Sequence, residues 1–186
     1  MWSFIRWGLC VVPSLFMAVF GRLVAPILPF FVEKDTLRLP AWLDWFNTPH
    51  STADGDRGHQ ERWPGNSPWQ TYVRRVAWYL RNVCYGFDRT VVGVQVRAGD
   101  WRFINGNPDV GDLSGVSGWV FYRLFDYIGD LRAWQFYAVY HYPIFCTWKC
   151  IRVGFGWKLW GSLLQGDHCQ FFLYFHPFKS SGKAKD

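Results

Sequence analysis

The chain has 186 residues, 20 of them basic and 14 acidic, and a formal charge of +6; it is long enough for one domain with its own core. Five cysteines, an odd number without dense spacing, argue against a disulfide-stapled secreted module and fit buried thiols in a reducing compartment. Aromatic residues make up 21% of the chain, 13 of them Trp, which supplies amphipathic ring surface suited to interfaces and to membrane headgroup level.

Residues 1–32 read as an apolar N-terminal arm. It carries Arg6 and Arg22, no acidic residue, and an uncharged run between the two arginines. Helical content is good from Ser3 to Val24, with Pro13 predicted to kink or break the helix. The uncharged run falls short of the roughly 20 apolar residues of a clean crossing. No small-residue cleavage site stands out after it, as a signal peptide would require. An interfacial or re-entrant helical hairpin is the better fit. The bland alternative is an arm packed on its own domain or on a protein partner. The predicted interaction residues are Trp2, Phe4, Arg6, Trp7, Leu9, Val12, Leu15, Phe16, Phe20 and Arg22. Their apolar members would drive attachment, and the arginines would address phosphates or partner carboxylates.

Pro26 and Pro29 then turn the chain. A brief helix is predicted from Pro40, where Trp42, Leu43, Trp45 and Phe46 would clamp onto the body. Asn47 to Trp69 reads as a long loop of turn formers. Within it Asp54 and Asp56 would supply oxygen ligands to a hard cation, with His59 beside them, which makes this loop the centre of an alternative reading as a metal-dependent enzyme or binding module. The bland reading is an acidic turn capped by its own backbone. No cofactor is called for.

Pro68 to Asn82 has the spacing of an amphipathic helix, closed by Gly86. Thr90 to Val96 is a β segment, predicted to pair as a hairpin with Trp101 to Asn105. Trp119 to Tyr127 is predicted as an aromatic strand, while the residues up to Tyr142 fit strand or helix. Ile151 to Trp157 and Gln170 to His176 complete an antiparallel pair, the second ended by Pro177. The predicted fold class is α+β: a small antiparallel sheet covered by helices, with a hydrophobic helical N-terminal arm. Residues 33–178 would be a single aromatic-rich domain and 179–186 a flexible basic tail.

Two further constellations have weaker patterns. Cys146 and Cys150, with His141, His168, Cys169 and His176, have spacing compatible with structural zinc, against the commoner reading of buried free thiols. Arg74, Arg75, Arg81, Arg97 and Arg102 beside Trp101 and Phe103 would suit nucleic acid, against the reading of solvated faces. Neither has a specific motif. No nucleophile elbow surrounds Ser51 or Ser67, so no catalytic residue is assigned.

The blocks Trp42-Leu-Asp-Trp-Phe-Asn-Thr-Pro49, Asp54-Gly-Asp56, Arg81-Asn82, Tyr85-Gly-Phe87 and Gly156-Trp-Lys158 together resemble a family of small uncharacterised proteins of tailed bacteriophages. His50 departs from that pattern, which leads one to expect an acidic residue after Thr48-Pro49. The resemblance implies a bacteriophage accessory or structural protein but brings no activity and no catalytic residues. Its implied partners are the host inner membrane or phage structural proteins. It would be found at the host membrane, in the virion, or otherwise in the host cytoplasm.

Overall fold

A computed structural model describes residues 2–110, 115–143, 148–159 and 168–180. The chain divides into two compact units, one of Met1–Leu9 with Gly93–Asp186 and one of Cys10–Val92. The class is α+β, as the sequence leads one to expect. Residues 33–178, expected as a single domain, contribute to both units, and so does the apolar arm.

The arm is one helix, α1 (Trp2–Val24), continuous through Pro13. Proline costs a helix one hydrogen bond and a clash with the preceding turn. Tertiary contacts beyond it hold the helix together. In the second unit Ser14 Oγ donates to Asp88 Oδ1 at 2.8 Å, and the Cys84 thiol donates to the Met17 carbonyl at 2.9 Å. Gly21 allows this approach, since a Cβ there would stand 2.5 Å from Cys84 Sγ.

The rest of the second unit is helical. Short 3-10 turns cover Leu28–Phe31 and Ala41–Phe46, the latter entered through Pro40. Three helices follow: α2 (Arg57–Arg62), α3 (Pro68–Arg81) and α4 (Tyr85–Thr90). Helix α2 interrupts the stretch expected to be loop. Asp56 starts it by accepting from the His59 backbone N–H. Helix α3 begins with a capping box in which Ser67 and Gln70 satisfy each other's backbone N–H groups. Leu28, Leu39, Phe46, Trp78, Tyr79 and Phe87 are among the buried side chains of the second unit.

The first unit is built on a five-stranded antiparallel sheet in the order β2-β3-β4-β5-β7. Its strands are β2 (Trp101–Gly106), β3 (Gly118–Phe125), β4 (Leu131–His141), β5 (Lys149–Trp157) and β7 (Phe171–Ser180). The stretch left open between strand and helix is β4. The expected hairpin between Thr90–Val96 and Trp101–Asn105 is not formed. Thr90 ends α4, and only β1 (Val94–Gln95) is a strand, paired with β6 (His168–Cys169). Strand β2 pairs with β3 instead.

Pro177 does not end the last strand. It lies opposite a register shift in β5, between Cys150 and Arg152, and on the edge strand β7. Both features excuse its missing N–H. Lys179 and Ser180 belong to β7, while the remainder of the predicted basic tail lies outside the described residues.

Candidate functional site

Helix α1 has two sides with different fates. In the first unit Phe4 stacks on Trp134 at 4.7 Å between ring centroids. Trp7 packs against Trp134, Phe155 and Phe171 at 5.4–5.9 Å and donates its indole N–H to the Gly156 carbonyl. Arg6 donates to the Gly93 carbonyl at 2.7 Å and lies over the Trp157 ring. In the second unit Phe20 packs on Phe46, and Met17 and Gly21 are buried.

The opposite side is apolar and open. Trp2, Ile5, Leu9, Val12, Phe16, Val19 and Leu23 recur at alternating spacings of three and four, and all seven are exposed. That spacing keeps them on one line along the helix. Leu15 and Phe20 widen the line, with Phe20 stacked parallel to Phe16. Among the described residues α1 is the one helix whose length and composition suffice to cross a bilayer, and only 17% of its apolar window is buried. At 1.5 Å per residue it is about 34 Å long.

Of the interaction residues read from the sequence, Trp2, Leu9, Val12, Leu15, Phe16 and Phe20 are exposed, and Phe4 is exposed beside its ring contact. Arg6 and Trp7 are corrected: each is engaged with its own unit rather than turned outward. Arg22 is exposed near the end of α1 and donates to the Ala18 carbonyl. Sequence reasoning named Ile5 among the side chains that drive attachment but missed Val19 and Leu23. The signal was present in the unbroken three-four spacing.

The second unit exposes further rings. Phe30 packs beside Tyr72, which stacks on Trp69, and Phe31 meets Trp42 edge-on; Phe30, Trp42 and Trp69 remain largely exposed. Trp45 meets Phe87 edge-on, and Gly86 lies so close to Asp44 that a Cβ would stand 2.1 Å from the Asp44 carbonyl oxygen. The Trp42–Pro49 and Tyr85–Phe87 blocks are thus packing partners.

The candidate cation residues have other partners. Asp54 accepts from Arg75 Nε at 2.9 Å and from Arg74 at 3.3 Å. Burial pushes its carboxyl up, but Arg75 and then Arg74 outweigh this and hold it below the usual range. Asp56 caps α2 and pairs with Arg81 at 3.5 Å. His59 is buried beside Trp78, its Nε2–H donating to the Arg74 carbonyl at 2.9 Å. Burial lowers its pKa, helped by the charges of Arg81 and Arg62 and opposed by the hydrogen bond to the Arg74 carbonyl. An open cavity of about 620 Å3 lies against this loop, lined by both charge signs: Asp54 and Glu61, Arg57 and Arg74. Among the described residues no three His, Cys, Asp or Glu side chains gather to hold a metal ion. The loop's acidic groups instead tie α2 and α3 together, which corrects the cation reading.

Cys146 of the candidate zinc pair lies outside the described residues, and Cys150 is buried, accepting from Arg152 Nε. The proposed nucleic-acid groove is divided between the units: Arg74, Arg75 and Arg81 belong to one, Arg97 and Arg102 to the other.

The chain belongs to a family of unknown function, DUF7338, whose model matches residues 1–183. No curated protein and no solved structure matches it.

Proposed function

We propose that this protein attaches to a membrane through the exposed face of α1, which lies in the plane of the bilayer interface. The observation that carries this reading is the line Trp2, Ile5, Leu9, Val12, Phe16, Val19 and Leu23, apolar and open along the whole helix. An in-plane setting is favoured over a crossing. A crossing helix would have to surrender Phe4, Arg6 and Trp7 at one end and Ser14, Met17 and Gly21 further on. A helix with one apolar face, held by its other face, fits the habit of interfacial helices. Transfer of such side chains from water contributes roughly 25 cal/mol per Å2 of apolar area, before ordering costs. The exposed Trp42 and Trp69 rings of the second unit suit the headgroup level.

The role is attachment rather than catalysis. On the resemblance to bacteriophage proteins, the bilayer we propose is the host inner membrane and the protein an accessory or structural one. A virion partner is the competing occupant.

Deleting the arm would remove Trp7 and Met17 from packed positions, so substitution of its outward face is the cleaner test. The double variant Val12→Glu/Phe16→Glu should leave membrane pellets and enter the soluble fraction, with unchanged circular dichroism. Wild-type protein recovered in the soluble fraction, or at fixed stoichiometry in washed particles, would overturn the membrane reading.

A further inference from the structure

We infer that one face of the five-stranded sheet is a second lipid contact, set at the phospholipid headgroup layer beside α1. This rests on the membrane reading of α1 and extends it to a separate surface.

Antiparallel partners directly opposite one another share a face. The register therefore sets Phe103 with Arg123, Phe121 with Phe136, Tyr140 with Ile151, and Val153 with Phe175 on one side of the sheet. The other side holds the buried Val120, Leu124, Tyr137 and Val139. The sheet thus has an enclosed side and an aromatic side. Trp134 belongs to the aromatic side, opposite Arg123, and is only 4% exposed because Phe4 and Trp7 lie on it. Away from that cover, Trp101, Phe103, Trp119, Tyr140, Leu173 and Phe175 are 43–63% exposed.

Two observations select lipid as the occupant. The first is continuity. The opening turns of α1 rest on this face, so Trp2, Ile5 and Leu9 and the sheet aromatics adjoin within one unit. A helix with its side chains is about 10 Å across, and an interfacial helix sinks its apolar side roughly 5–10 Å into the headgroup and acyl boundary. With Trp2, Ile5 and Leu9 in the acyl chains, the sheet on which this part of α1 rests lies at headgroup depth. Tryptophan and tyrosine are enriched at that depth.

The second is charge. The paired positions of this face carry no carboxylate. Their charged side chains are Arg123, over Phe103 at 4.8 Å and Phe125 at 5.8 Å, and Lys149 at the strand end. Both are cations, complementary to lipid phosphates.

The test uses the full chain and vesicles of phosphatidylglycerol and phosphatidylethanolamine, with affinity read by co-sedimentation. Tyr140→Glu/Phe175→Glu alters two exposed positions on different strands. It should weaken vesicle affinity at least tenfold while leaving circular dichroism and melting unchanged. The milder Tyr140→Gln/Phe175→Gln serves if the charged pair does not fold, and should weaken affinity at least threefold. Unchanged affinity in a folded variant overturns the inference. So does a shift of the wild-type oligomer to monomer without loss of affinity, since the face would then join two copies of the chain. If Val12→Glu/Phe16→Glu abolishes binding and the sheet variants do not alter it, only the sheet contact fails. If the wild type does not bind vesicles, both readings fail.

Discussion

The Trp7 indole N–H donates to the Gly156 carbonyl at 3.2 Å. Gly156 has φ of +118°, and a Cβ there would stand 2.3 Å from the Trp134 carbonyl oxygen, so this position suits glycine. The contact fixes which side of α1 faces outward, because adjacent helical residues differ by about 100° around the axis. Trp7→Ala should therefore destabilise the protein by about 3–4 kcal/mol through lost packing. Trp7→Phe, which keeps a ring but no donor, should lose about 1 kcal/mol through the hydrogen bond. Urea unfolding monitored by circular dichroism gives both values. Equal stability of the alanine variant and wild type would mean that the ring does not anchor the helix.

Asp54 links the second unit's loop to α3 through two arginines. Its folded pKa is depressed, so its contribution is complete above the unfolded value of about 3.9 and is lost as pH falls through the folded value. Asp54→Asn should cost roughly 3 kcal/mol at pH 7, where it leaves Arg74 and Arg75 without their carboxylate. The gap between variant and wild-type melting temperatures should close as pH falls below 4. A gap independent of pH would show that the charge is not what stabilises.

His59 should act at a higher pH. Its folded pKa is also depressed, so below about 6.5 the unfolded chain gains a proton that the buried ring resists. Stability should fall as pH drops from 7 towards the folded value and level off below it. His59→Gln should flatten that part of the profile. Proton resonances of the ring would report the shifted titration directly.

Gly86 is pressed against Asp44. Gly86→Ala should force that backbone apart and cost about 3 kcal/mol, the scale of overpacking in a filled core. Its φ is not positive, so the effect is steric rather than conformational. A neutral substitution, judged by melting temperature, would mean that the 3-10 turn yields easily.

The amphipathic spacing of residues 68–82 announces α3, and the β-rich segments after residue 118 announce the sheet strands. Helix α2 escaped notice because Asp56 carries the same sequence mark as a cap or as a cation ligand. Thr90–Val96 misled for a different reason. Its branched residues favour strand, but Thr90 Oγ1 donates to the Gly86 carbonyl at 2.7 Å and closes α4. At the candidate site, the open face of α1 was legible as apolar content. Its inward face was not, since nearly every side chain around this helix is apolar. The partner that orients it, Gly156, lies 149 residues away in sequence.

Pro13 has no N–H to offer, so the Leu9 carbonyl one turn back is denied its usual helical donor. Under the membrane attachment proposed above, a setting at the interface leaves water within that oxygen's reach, and the proline weights the mid-section of α1 towards the hydrated side.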